Sequence, residues 1–86
     1  MSEWTDRLAE TLGVTPLDAE QQSSLLLASR EIAHRVERKE TPLSTYLIGV
    51  AAGARIARGV SASDALRDVV DTVLALLPPE EPRTND

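Results

Sequence analysis

Turn and cap residues divide this chain into segments of helical length, and this division constrains its fold more than any other feature. Gly13 and Gly59 each follow a segment with apolar periodicity, where a left-handed residue ends a helix. Pro78-Pro79 follows a third such segment and cannot continue it. Thr15-Pro16 and Thr41-Pro42 have the order of an N-cap and a first helical residue.

Ser61 adds a further helix start, because Asp64 follows it at the spacing of a capping box. Together these signals predict four helices, at about 2–12, 16–39, 42–58 and 62–77. The second helix has an alternative start as late as Asp18. No segment shows the alternation of a half-buried strand. The sequence therefore predicts an all-α, compact, four-helix bundle-like domain at 1–77. Residues 78–86, PPEEPRTND, are predicted to be a disordered, Pro-rich tail.

Composition excludes several function classes. The 86 residues contain no Cys, which removes disulfides, thiolate zinc sites and cysteine nucleophiles and fits a reducing, cytoplasmic setting. The net charge of −5 argues against nucleic-acid binding, although the stretch from Arg30 to Arg67 carries +3. We expect no secretory signal peptide, because the N-terminus shows no charged and then apolar leader, and no apolar run reaches the ~20 residues of a membrane span.

The third helix is apolar on nearly its whole circumference. One face holds Leu43, Leu47, Val50, Ala54 and Ala57, and the opposite face holds Ile48, Ala52 and Ile56. A helix of this kind is typical of a buried, central position. Gly49 and Gly53 lie one turn apart and would let another backbone approach closely. The alternative is that the second apolar face contacts another protein chain, with Ile48 and Ile56 exposed there.

The two aromatic residues have structural and functional interpretations. Trp4 heads an apolar stripe with Leu8 and Leu12 and is predicted to fill the core between helix ends, with an interface anchor as the alternative. Tyr46 is predicted to pack at the edge of the core with its hydroxyl in water.

Arg30, His34 and Arg38 recur every fourth residue and would form one ridge on the second helix, beside Glu37. Such a ridge is usually a solvated face, but it could bind a phosphate or an acidic partner. His34 is the one histidine, so a His-rich metal site or a Ser–His triad is unsupported. We predict no catalytic residue, no metal and no cofactor, and therefore no enzyme.

The stretch from Glu31 to Gly53 reads EIAHRVERKETPLSTYLIGVAAG. Its pattern, A-H-x-V-E-R, a short spacer and P-L-[ST]-T-[YF]-L-x-G-x-A-A-G, resembles a small uncharacterised bacterial family of all-helical domains, a domain of unknown function. The N-terminal EWTDRLAETLGV also fits, and the resemblance covers most of residues 3–75. The residues that match the motif are Ala33, His34, Val36, Glu37, Arg38, Pro42, Leu43, Thr45, Tyr46, Leu47, Gly49, Ala52 and Gly53.

Members of that family occur alone or fused behind a nucleotidyltransferase domain similar to molybdenum cofactor guanylyltransferases. The resemblance thus implies an accessory role in molybdenum cofactor (molybdopterin guanine dinucleotide) biosynthesis, with such a transferase as partner. The chain lacks the transferase's own Gly-rich loop and sheet.

Three hypotheses stay open. The first is a non-enzymatic protein-interaction or accessory module, the second a small-ligand or phosphate-binding domain that uses His34 and Arg38, and the third a homodimer that buries the third helix. The residues of the candidate surface are Arg30, His34, Glu37, Arg38, Tyr46, Ile48 and Ile56.

Overall fold

The computed structural model describes residues 3–80, and this part of the chain contains four α-helices and no strand. They are α1 (Glu3–Leu12), α2 (Ala19–Arg35), α3 (Glu40–Ala57) and α4 (Ala62–Leu76). The predicted all-α, four-helix fold is confirmed. The predicted start of the first helix at residue 2 and residues 81–86 of the predicted disordered tail lie outside the described residues.

Both predicted glycine stops are confirmed. Gly13 has a φ of 72° and Gly59 a φ of 102°, a backbone conformation that side chains with a Cβ rarely adopt. Beyond Gly13, the N–H of Val14 donates to the carbonyl of Ala9 at 2.9 Å, which satisfies an acceptor that the end of α1 leaves open.

The start of α2 is set by Asp18, and the predicted cap pair Thr15-Pro16 was wrong. The Gln21 N–H donates to Oδ1 of Asp18 at 2.8 Å, and the Asp18 N–H donates to Oε1 of Gln21 at 2.9 Å. This reciprocal capping box satisfies two donors at once, whereas a Thr–Pro pair offers one. The later of the two predicted starts is thus the correct one.

The end of α2 was also predicted wrongly, because the helix stops at Arg35 and not at residue 39. The N–H groups of Val36 and Glu37 both donate to the carbonyl of Ile32, at 2.9 and 3.1 Å. These two bonds close the last turn without a glycine. The turn that follows carries Arg38.

α3 begins at Glu40 with Lys39 as its N-cap, so the predicted cap at Thr41 was wrong. The Lys39 side chain makes no capping hydrogen bond. Pro42 lies in the first turn, where a missing N–H leaves no helical bond unmade. The proline therefore marks the first turn of α3 correctly but not its first residue.

The predicted cap of α4 is confirmed, because Oγ of Ser61 accepts from the Asp64 N–H at 3.2 Å. The carboxylate of Asp64 forms an ion pair with Arg67 one turn later. Asp64 thus takes part in the cap only through its backbone N–H.

The core lies between α2, α3 and α4, each of which packs against the other two. α4 contributes most of it, because its buried residues Ala65, Leu66, Val69 and Val70 lie on one face of the helix. The buried residues of this core are Ala28, Ile48, Ala52, Ala65, Leu66, Val69 and Val70, with Leu25, Ala51, Val73 and Leu74 packed against them. We refer to α2, α3 and α4 as the three-helix body.

α1 makes no close backbone contact with the three-helix body, although its Ala9 is buried. No Cα of this described helix comes within 8 Å of a Cα in α2, α3 or α4. Its apolar stripe of Trp4, Leu8 and Leu12 is exposed, with Trp4 at 66%, so the predicted core position of Trp4 was wrong. Helical periodicity identified the stripe correctly, but periodicity does not say whether a face meets the core.

Candidate interaction surface

α3 turns one of its two apolar faces towards the core and leaves the other in solvent. Ile48 is 2% exposed and Ala52 is buried beside it, whereas Ile56 at the end of this face is exposed at 44%, as the alternative interpretation of α3 predicted. The prediction that Ile48 lies on an exposed second face was therefore wrong. The polar residues Ser44 and Thr45 lie on the flanks of the buried face. A choice of the core-facing side by apolar content alone would therefore favour the opposite face.

The opposite side of α3 carries large apolar side chains in water. Tyr46 is 71% exposed and Leu47 is 65% exposed, so the predicted position of Tyr46 at the core edge was wrong. We define the outer face of α3 as its exposed residues on this side, which are Leu43, Tyr46, Leu47, Val50, Gly53, Ala54 and Ala57. No charged residue occurs in the sequence from 41 to 54. The outer face is thus an exposed apolar surface bounded by charge only near its ends.

Of the two glycines of α3, Gly53 lies within this surface and Gly49 borders it. A Cβ built on Gly49 or Gly53 would meet nothing within 4 Å in the described structure. Each glycine costs the helix about 1 kcal/mol relative to Ala. No packing contact within the described chain requires their small size.

The predicted polar ridge is divided between a helix and a turn. Arg30 and His34 are exposed on α2, one turn apart. Arg38 lies in the turn after α2, so its assignment to the same helical ridge was wrong. Glu37 is exposed and lies 3.7 Å from Nζ of Lys39. The structure therefore places two of the predicted ridge residues on one helical face and separates the third.

A groove that the sequence did not predict lies between α3, the C-terminal end of α2 and the C-terminal half of α4. Its volume is about 430 Å³. The polar side chains among its lining residues are Ser44, Arg55 and Thr72, and the rest are apolar. Leu47 forms part of its wall and joins it to the outer face of α3. The groove could not be predicted from the sequence because it forms only where three helices pack together. Local sequence patterns do not show how helices pack.

Within residues 3–80 we found no group of three or more His, Cys, Asp or Glu side chains that could hold a metal ion. In the same described range, no helix has the length and apolar character needed to cross a membrane.

Comparison with known proteins gives a family but no characterised relative. A family model described as "Domain of unknown function (DUF6457)" matches residues 1–85. No curated protein and no solved structure matches the chain.

Proposed function

The chain belongs to the DUF6457 family, and on that premise we propose that it is a non-enzymatic protein-interaction module that binds through the outer face of α3. The observation that carries this proposal is the exposure of Leu43, Tyr46, Leu47 and Val50 on one uncharged side of a helix. Contiguous apolar surface of this kind on a small protein marks an interaction site more often than isolated exposed residues do.

Energetics support this use of the face. Fully burying a Leu or Val side chain contributes about 1.5–3 kcal/mol, and several exposed ones adjoin here. The core of the three-helix body uses the opposite side of α3, around Ile48 and Ala52. A partner could therefore cover the outer face without displacing any buried residue of this body.

Among partner proteins other than a second copy of this chain, the first candidate is a nucleotidyltransferase similar to molybdenum cofactor guanylyltransferases. This candidate comes from the gene fusion that the sequence resemblance implies. In that setting the chain would be an accessory domain of cofactor assembly, and the outer face of α3 would be the surface that meets the transferase.

The phosphate-binding alternative receives less support from the geometry. It relied on Arg30, His34 and Arg38 on one ridge, and Arg38 lies off the helix. Two exposed basic side chains on one helix face, such as Arg30 and His34, are more typical of a solvated surface than of a binding site.

Photocrosslinking in the native cell tests the proposed function. A benzophenone amino acid replaces Leu47 on the outer face, and a matched control replaces Leu26, which is 67% exposed on α2. We expect a defined protein adduct from position 47 and none from position 26, with the adduct identified by mass spectrometry. If position 47 gives no protein adduct at all, the proposal is wrong.

A further inference from the structure

We propose that the outer face of α3 is covered by the same face of a second copy of the chain, packed antiparallel about a two-fold axis near Val50. This inference rests on the proposed function, because it names the partner of that surface. Two properties of the face support it, the gradient of side-chain size and the placement of charge, and the length of the helix sets the expected strength of the contact.

The size of the side chains changes along the outer face. Leu43, Tyr46 and Leu47 occupy its N-terminal half, and the small residues Gly53, Ala54 and Ala57 occupy its C-terminal half. In an isologous interface, a contact between residue i of one copy and residue j of the other is repeated between residue j of the first and residue i of the second. With the axis at Val50, an antiparallel pair sets each large side chain of one copy against a small residue of the other.

The matched pairs follow from the sequence positions. Leu43 and Ala57 are equally far from Val50, and so are Tyr46 and Ala54. A parallel pair would instead set Tyr46 against Tyr46 and leave a gap between the small halves. Close packing therefore favours the antiparallel arrangement, because both crowding and voids cost stability.

The charges near the ends of α3 have the same symmetry. Glu40 and Arg58 are 18 residues apart, which is about five full helical turns, so they project from the same side of the helix axis. Neither forms an ion pair within the described residues. In the antiparallel pair, Glu40 of one copy comes within about one turn of Arg58 in the other, and the symmetry gives this contact twice. In a parallel pair like charges would meet.

The N-cap Lys39 fits the same arrangement. It would lie near the C-terminal end of the other copy's α3, where the carbonyl groups and the helix dipole favour a cation. Gly53 stands opposite Leu47 in this pairing and gives its side chain room.

The length of the contact sets its expected strength. The 18 residues of α3 span ~27 Å, so one helix from each copy provides less than the ~800 Å² per partner of a standard interface. We therefore expect a dimer that dissociates at micromolar concentrations and not an obligate one.

Single-cysteine crosslinking tests the orientation directly, since the sequence contains no native Cys. Val50→Cys lies on the proposed axis, and under mild oxidation we expect most of this variant to become a covalent dimer. Leu43→Cys alone should remain uncrosslinked, because its two copies would be ~21 Å apart, beyond the ~7 Å reach of a disulfide. A mixture of Leu43→Cys and Ala57→Cys should crosslink as a heterodimer.

Leu26→Cys on α2 is the matched control and should not crosslink beyond the background of random collision. Efficient self-crosslinking of Leu43→Cys, or none of Val50→Cys, would overturn the antiparallel pair. All four positions are exposed, and circular dichroism checks that each variant keeps its fold.

Sedimentation of the unmodified chain separates this inference from the proposed function. A chain that stays monomeric at ~1 mM, well above the expected micromolar dissociation constant, overturns the homodimer. If photocrosslinking at Leu47 then captures a different protein, the proposed function stands. If it captures nothing, both fail.

Discussion

Asp18 and Gln21 satisfy each other's backbone N–H groups, at 2.8 and 2.9 Å, and this exchange fixes the first residue of α2. Because an N-cap Asp contributes about 1 kcal/mol, Asp18→Ala should lower the free energy of unfolding by that amount in a denaturant titration. Thr15→Ala, at the position of the wrongly predicted cap, should change it by less than about 0.5 kcal/mol. A larger effect at Thr15 than at Asp18 would contradict the assignment.

Gly49 and Gly13 should respond to alanine in opposite directions. Gly49→Ala removes a helix penalty and its Cβ meets nothing within 4 Å, so we expect the isolated chain to gain about 0.5–1 kcal/mol. Gly13→Ala should be destabilising, because φ at this residue is 72°. Thermal unfolding at concentrations below dimer formation measures both. Destabilisation by Gly49→Ala there would reveal a close contact that the structure lacks.

Trp4 reports the position of α1, because it is the one tryptophan of the chain. At 66% exposure, its fluorescence should have the red-shifted emission of a solvated indole, and acrylamide should quench it readily in the folded protein. Trp4→Ala should change the free energy of unfolding by much less than the 3–5 kcal/mol typical of a buried tryptophan. Blue-shifted, protected emission would mean that α1 packs against the body.

The antiparallel pair predicts a rescue by charge exchange. Glu40→Arg and Arg58→Glu should each weaken the dimer several-fold, since each replaces two attractions by two repulsions. The double variant should recover most of the affinity, because the charges are only interchanged. Sedimentation equilibrium at low salt measures all three, and the differences should shrink as salt screens exposed pairs. Additive losses in the double variant would argue against the proposed contact.

The sequence predicted those parts of the fold that a local signal controls. Gly13, Gly59 and Ser61 act within one turn of the backbone, and each lies where its chemistry indicates. The junction of α2 and α3 has no comparable signal. Residues 36–40, VERKE, are acceptable in a helix, and the stop at Arg35 depends on two hydrogen bonds to one carbonyl. α3 must also be able to pack against α2 and α4 when α2 ends at Arg35.

The candidate surface was predicted in part for the same reason. Apolar periodicity showed that α3 has two faces able to pack, but it could not choose between the side of Ile48 and the side of Leu47. The choice depends on how α2 and α4 meet α3, with Ser44 and Arg55 lining the groove beside the core. Tyr46 is exposed on the outer face, whereas Ile48 belongs to the core.

The separation of α1 from the three-helix body has a consequence for the cooperativity of unfolding. An isolated helix as short as Glu3–Leu12 is marginal in water, because nucleating it costs more than a few hydrogen bonds return. Because α1 makes no close backbone contact with the three-helix body, we expect its helix–coil equilibrium to be only weakly coupled to the unfolding of that body. We therefore expect two processes in a melting curve: gradual fraying of α1 and a single sharp transition of the three-helix body, of which only the second has a free energy that describes the fold.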